Sequence, residues 1–222
     1  SDVCSSDLFE RSFIDSKILT TSIYDHLLLT SEELAQRQSL FTDRLSGYMV
    51  GSEKLNLIYS NVPGYPKPAM VAEDGVDLTL FRPQNLNRLQ NVGTRNLVVG
   101  WVGNSKWASE LDDFKGVHTI LKPALEQLQA EGLNVTSFFA DRQERFIPHD
   151  QMPDYYNKID VLVCASKIEG TPNPVLEAMA CGVPVISTDV GIVPQAFGPL
   201  QQQMILKERS VECLKARLRL IL

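Results

Sequence analysis

The chain has 222 residues, 44% of them hydrophobic and 22% charged, with 12 Pro and 13 Gly. This is the composition of an ordinary globular protein with ample apolar material for a core, and it excludes collagen-like, disordered and repeat-array chains. Lys and Arg number 21 against 27 Asp and Glu, a formal charge of -6, so no basic stripe is present to neutralise a nucleic-acid backbone. The longest apolar runs, 97–102 and 161–165, fall far short of the roughly 20 residues a membrane-spanning helix needs, and no transmembrane segment is expected.

Residues 1–8, Ser1 to Leu8, have neither an initiator Met nor the basic and apolar regions of a signal peptide. The string resembles the in-frame translation of a sequencing-library adapter, so it is expected to be a non-native leader standing where native sequence was lost. Residues 9–82 read as the remnant of an amino-terminal domain. Within them Ser31 is the expected cap of a helix, with Glu32 and Glu33 in its favourable first turn. A second helix is expected after Ser52, a loop over the proline-rich 61–68, and a short strand over 69–72. The polar stretch 83–95 is the expected linker.

From Asn96 onward strands alternate with helices. Strands are expected at 96–103, 134–140, 160–165, 183–187 and beyond 203, and helices near 117–131, 151–157, 174–181 and at the carboxyl end. Pro123 inside one of these helices implies a late start or a kink. The strands show no two-residue alternation, as expected where helices cover both faces of a parallel sheet. Residues 96–222 are therefore expected to form an α/β domain with a Rossmann-like, doubly wound parallel sheet. The final Arg217 to Leu222 stop inside a helical pattern without a cap, so this domain is expected to be incomplete at its end. Cysteines at 4, 164, 181 and 213 make no CxxC pair, and His26, His118 and His149 show no ligand spacing. Reduced thiols, a cytoplasmic location and no bound metal are the expectation.

The stretch from Glu169 to Val185 carries the chemistry. Asn173 as cap, Pro174 at the first helical position and Gly182 past the last turn define a short helix. Following a strand, its amino end faces the carboxyl edge of the sheet, where ligands bind in open α/β folds and free amides favour an anion such as a diphosphate. Pro172 and Pro174 remove two donors but stiffen the loop. Two carboxylates, Glu169 and Glu177, flank this helix start. A carboxylate only accepts hydrogen bonds, so its natural partner is a diol rather than a phosphate. The same two residues would equally serve to stabilise the helix dipole.

Two glutamates separated by seven residues, followed by Ala178-Met179-Ala180, a small residue and Gly182-Val183-Pro184-Val185, resemble the signature of retaining GT-B glycosyltransferases of glycosyl transferases group 1. Three further segments resemble that family in order and spacing: Asp74-Gly75-Val76-Asp77 with Phe81-Arg82-Pro83; Val99 to Asn104 followed by Lys115-Gly116; and Tyr155-Tyr156-Asn157 with Asp160 to Val163 and Ser166. Asp74 replaces the usual Asn. Gly103-Asn104 replaces the usual Gly-Arg, which removes one diphosphate contact that Lys106 is positioned in sequence to replace.

The resemblance implies a GT-B fold, with residues 96–222 as the nucleotide-sugar-binding domain and 9–82 a truncated remnant of the acceptor domain. It implies transfer of a sugar from a nucleotide-diphosphate sugar, with retention of anomeric configuration and no metal or other cofactor. Glu169 would contact the transferred sugar and Lys115 the departing diphosphate; Glu177 would bind the ribose. Gly103, Asn104 and Ser105 from the first loop, and Gly170, Thr171, Pro172, Asn173 and Val175 from the second, would complete the donor site. Trp101 and Trp107 are expected to be packing residues. The partners implied are the nucleotide sugar and an unknown glycan, lipid or small-molecule acceptor, with peripheral membrane docking open to the full-length protein and no turnover expected of this fragment alone. The competing readings are a GT-B sugar-nucleotide epimerase and a non-catalytic nucleotide-binding module; against the latter, Gly103 is followed by Asn104, Ser105 and Lys106 and so opens no Gly-x-Gly-x-x-Gly fingerprint.

Overall fold

The computed structural model describes residues 18–24, 29–110 and 112–222, the Asn91 side chain excepted. The expected leader, Cys4 and His26 lie outside the described residues. The chain divides into two compact units, Ser1–Glu73 and Asp74–Leu222.

The first unit holds a parallel sheet of order β1-β2-β3, from Thr20–Ile23, Gly47–Val50 and Met70–Val71. Two helices connect these strands, α1 at Ser31–Ser39 and α2 at Glu53–Ser60. Thr30, not Ser31, caps α1: with Thr30 at the cap, Glu33 falls at the third helical position and its carboxylate accepts a 2.8 Å bond from the Thr30 N–H. The second helix follows Ser52 as expected, and the Ser52 side chain caps it. Phe41, Tyr48, Val50, Leu55 and Tyr59 form the core of this unit.

The second unit holds a five-stranded parallel sheet of order β5-β4-β6-β7-β8. Its strands are β4 Leu97–Gly103, β5 Val135–Asp141, β6 Val161–Cys164, β7 Val185–Thr188 and β8 Ile205–Leu206. Its helices are α3 Lys122–Ala130, α4 Met152–Tyr156, α5 Asn173–Ala180, α6 Val193–Ala196 and α7 Val211–Arg219. Alternate strand residues feed two cores. Leu97, Val99, Trp101, Val161 and Val163 pack with Leu125, Leu128, Leu214 and Leu218 of α3 and α7. Leu162, Cys164 and Val185 pack with Tyr155, Tyr156, Val175 and Ala178 of α4 and α5 on the other face. Both faces are covered, which is why apolar residues run continuously along the central strands β4 and β6.

Local differences from the expected boundaries have local causes. A wide turn at Val117–Leu121 precedes α3, so the helix starts late and Pro123 sits in its first turn, where the missing N–H breaks no ladder. Pro172 rather than Asn173 occupies the cap of α5, which leaves the Asn173 side chain without a capping bond. The division into units falls ahead of the expected linker. Residues 83–95 are fastened to the second unit: Gln84 N–H donates to Asn157 Oδ1 at 2.8 Å, and the Arg95 guanidinium spans both oxygens of buried Asp160 at 2.7 and 2.6 Å.

Candidate functional site

The strand order reverses between β4 and β6, because the chain runs from β4 to β5 on one side and returns to β6 on the other. Such a switch point leaves a crevice at the carboxyl edge of a parallel sheet. Here it is a cavity of about 600 Å³, walled by the loops after β4, β5 and β6 and by the start of α5.

Gly103, Asn104 and Lys115 line one wall, and Glu169, Thr171, Pro172, Asn173, Val175 and Glu177 line another. The paired carboxylates thus share one crevice. The Lys115 ammonium lies 2.6 Å from Glu169 Oε1, with both side chains largely sheltered, and the Ser166 hydroxyl donates to the same oxygen at 2.6 Å. Sheltering strengthens such a pair relative to one in open water. The Lys115 ammonium also stands 5.2 Å from the centre of the Trp107 ring. Across the cavity the buried Tyr156 hydroxyl donates to Glu177 Oε2 at 2.6 Å, while His149 Nε2 stands 3.8 Å from Glu177 Oε1. Burial first, and then the Glu177 charge, push the Tyr156 phenol well above its usual pKa, so it is a hydrogen-bond donor at neutral pH.

Two expected residues lie elsewhere. Ser105 is buried and its N–H donates to Asp141 Oδ1 at 3.2 Å, so it anchors the loop instead of facing the cavity. Burial raises the Asp141 carboxyl, but the bonds from Ser105 and Gln143 outweigh it and hold the group below its usual range. Gly170 is buried under the loop after β7, where a Cβ on Gly191 would stand 2.0 Å from the Gly170 carbonyl oxygen. The helix start offers fewer free amides than its sequence implies. The Asn173 and Val175 N–H groups are taken by the carbonyls of Thr171 and Pro172, at 2.9 and 2.8 Å, and Pro174 has none.

Other residues enter the site without a signal in the sequence. Trp101 is buried as expected yet reaches the cavity wall, and Trp107, 41% exposed, lines the cavity too. Lys106 is not on the wall; Arg142 and Arg145 are. The Arg142 N–H donates to the Gly103 carbonyl at 2.9 Å, which places it beside the Gly103-Asn104 turn. Asp113 accepts the N–H groups of His118 and Thr119 at 2.8 Å each and so organises the turn that follows Lys115. Among the described residues no group of three or more His, Cys, Asp or Glu is placed to hold a metal ion, and no helix is long and apolar enough to cross a membrane.

The family model for glycosyl transferases group 1 matches residues 86–222. The chain belongs to this family. Among curated relatives of this chain, the putative teichuronic acid biosynthesis glycosyltransferase TuaC of Bacillus subtilis is 43% identical over 68 residues, 31% of this chain and 17% of that protein. The 2-deoxystreptamine N-acetyl-D-glucosaminyltransferase of Streptomyces fradiae is 33% identical over 89 residues, 40% of this chain and 20% of that protein. The Anabaena protein Alr3699/HepE, solved with UDP and glucose, superposes with a TM-score of 0.70 at 18% identity, over 94% of this chain and 63% of that one. Sucrose-phosphate synthase from Thermosynechococcus elongatus gives 0.64 at 21% identity, over 90% and 54%. The fold is the GT-B type, and the chain spans less than two thirds of these relatives' lengths.

Proposed function

We propose that this glycosyltransferase transfers a sugar from a nucleoside-diphosphate sugar to a glycan, lipid or small-molecule acceptor with retention of anomeric configuration, and that the cavity is its donor site. The observation that carries the reading is the placement of Glu169 and Glu177 on the walls of one crevice, with Lys115 against Glu169. Glu169 accepts hydrogen bonds from hydroxyls of the transferred sugar. Glu177, with Oε2 committed to Tyr156, offers Oε1 to the ribose. Lys115 balances the charge that grows on the diphosphate as its bond to the anomeric carbon breaks, which is where a fixed cation contributes most. Lys115 performs this task in the reading, with no metal ion; a chelator is expected to leave donor binding by this chain unchanged. The free thiols of Cys164 and Cys181 support a cytoplasmic location for this part of the protein.

HepE was solved with UDP and with UDP-glucose, so UDP-glucose is the first donor to test, with GDP- and ADP-sugars beside it. Calorimetry on the chain is expected to show binding of one of these and not of NAD. Glu177→Ala should then weaken donor binding; unchanged affinity would remove the ribose role. Isomerisation of the donor without an acceptor would replace the transferase reading with an epimerase.

A further inference from the structure

Lys115 and Glu169 come from different loops, and something must hold those loops in register for the two charges to meet. The loop after β4 carries Asp112 to Gly116, and the loop after β6 carries Ala165 to Glu169. They touch where a Cβ on Gly116 would come within 2.3 Å of the Ala165 carbonyl oxygen. The Lys167 N–H crosses to the Phe114 carbonyl at 2.7 Å, and the Lys167 ammonium crosses to Asp112 at 2.8 Å, the latter exposed to solvent.

A third element joins them from behind. Arg209 lies between β8 and α7, is half-buried, and lines no part of the cavity. Its Nε donates to the Ala165 carbonyl at 2.8 Å, and its Nη2 donates to the Asp113 carbonyl. One planar guanidinium therefore bridges main-chain oxygens on both loops, two residues before Lys115 on one and one residue before Ser166 on the other. An ammonium is a point donor on a flexible stem and lacks the fixed fork that spans two separated acceptors.

We infer that Arg209 is a positioning residue for the donor site, and that its bridge sets the contact between Lys115 and Glu169. Without the fork, two sheltered carbonyls lose charge-assisted bonds, and only the Lys167 bonds to Phe114 and Asp112 still cross between the loops, which loosens their register. The inference rests on the donor-site reading only for its consequence in binding; the geometry it explains is independent of any ligand.

The test therefore has two arms on the full chain. In the first, acylation of Lys115 by an N-hydroxysuccinimide acetate is followed by peptide mass spectrometry, with no nucleotide present. Arg209→Ala and Arg209→Lys are expected to speed labelling of Lys115 about tenfold, as the ammonium loses its fixed carboxylate. Leu218→Ala, a buried α7 residue in the same unit, supplies a destabilised control and should leave that rate unchanged. In the second arm, calorimetry with UDP-, GDP- and ADP-glucose is expected to show donor affinity about ten- to a hundredfold weaker in both Arg209 variants, the range expected when site groups shift by up to about 1 Å, and little changed in Leu218→Ala. Equal labelling in wild type and Arg209→Lys, which keeps the charge if Arg209→Ala fails to fold, would overturn the inference. So would a Leu218→Ala protein that matches the Arg209 variants in labelling. A wild-type chain that binds none of the three nucleotide sugars, yet shows the labelling difference, would overturn the donor-site reading and leave the bridge standing.

Discussion

Gly116 is the residue whose replacement tests the site's construction most directly. Its φ of +69° lies in the left-handed region, which costs an L-residue about 1–2 kcal/mol. A Cβ there would also stand 2.3 Å from the Ala165 carbonyl oxygen and 2.9 Å from the Ala165 side chain. Restoring an ordinary contact of about 3.5 Å requires the two loops to separate by on the order of 1 Å. Gly132 separates the two costs, because its φ is +84° and nothing lies within 4 Å of the position its Cβ would take. Gly132→Ala therefore carries the backbone cost alone. Gly116→Ala is expected to lose about 2–3 kcal/mol, lowering the thermal midpoint by roughly 4–12 °C for a chain of this size, against about half that for Gly132→Ala. In calorimetry with the donor that wild type binds, Gly132→Ala should behave as wild type while Gly116→Ala loses about a hundredfold, since Lys115 is its immediate neighbour. If the two variants are alike in both midpoint and affinity, the contact at Ala165 does not set the site and the reasoning fails.

Arg95→Ala leaves Asp160 buried without its bidentate partner; a loss of about 3 kcal/mol is expected in urea unfolding, at the lower end for a buried pair because Arg95 itself is partly solvated. Tyr156→Phe removes the donor to Glu177 Oε2 and should weaken donor binding about tenfold in calorimetry; an unaltered affinity would show that Glu177 needs no such support. Burial raises the phenols of Tyr48, to about 12, and of Tyr155 and Tyr156 above their usual value. Their contribution to stability is therefore complete below the unfolded tyrosine pKa of about 10 and is lost as pH rises through the folded values, so urea midpoints should fall between pH 9.5 and 11.5; a flat profile there would contradict the burial. Cys164 and Cys181 are buried and their thiols are raised by burial, Cys181 to about 11, so a disulfide reagent at pH 8 should leave both unmodified until denaturant is added.

The parallel sheet was legible because its cause is written locally. Central strands that feed two cores, as Val99 does one and Leu162 the other, read as short apolar runs, and their length and spacing between helical segments favour strand over buried helix. Caps were legible only to within a residue. Thr30 and Ser31 are both good caps by type, and what decided between them was the reach of Glu33. Residues 83–95 read as a linker because they are polar, yet Arg95 finds its partner 65 positions away in Asp160. A charge whose partner is distant in sequence looks the same as a solvated one until the chain folds.

The site divides along the same line. Glu169 and Glu177 stood out because they flank one helix start in one stretch of sequence. The bond from Tyr156 to Glu177 and the places of Trp107 and Arg142 did not, because each depends on a contact made only when separate segments converge at the sheet edge. Net charge says little about such a site. A chain of charge -6 repels a diphosphate at long range, but screening confines that repulsion to about 8–10 Å at ordinary ionic strength, and inside the cavity the balance is different. Glu169 is matched by Lys115 and Ser166, and Glu177 is held by Tyr156, while Arg142 and Arg145 stand on the same walls. In the donor-site reading, an incoming diphosphate competes with Glu169 for Lys115, and the carboxylate it displaces becomes free to accept a sugar hydroxyl. The bond that neutralises the site while no donor is bound is then the one whose exchange assembles it, and a donor lacking either the diphosphate or the sugar would complete only half of that exchange.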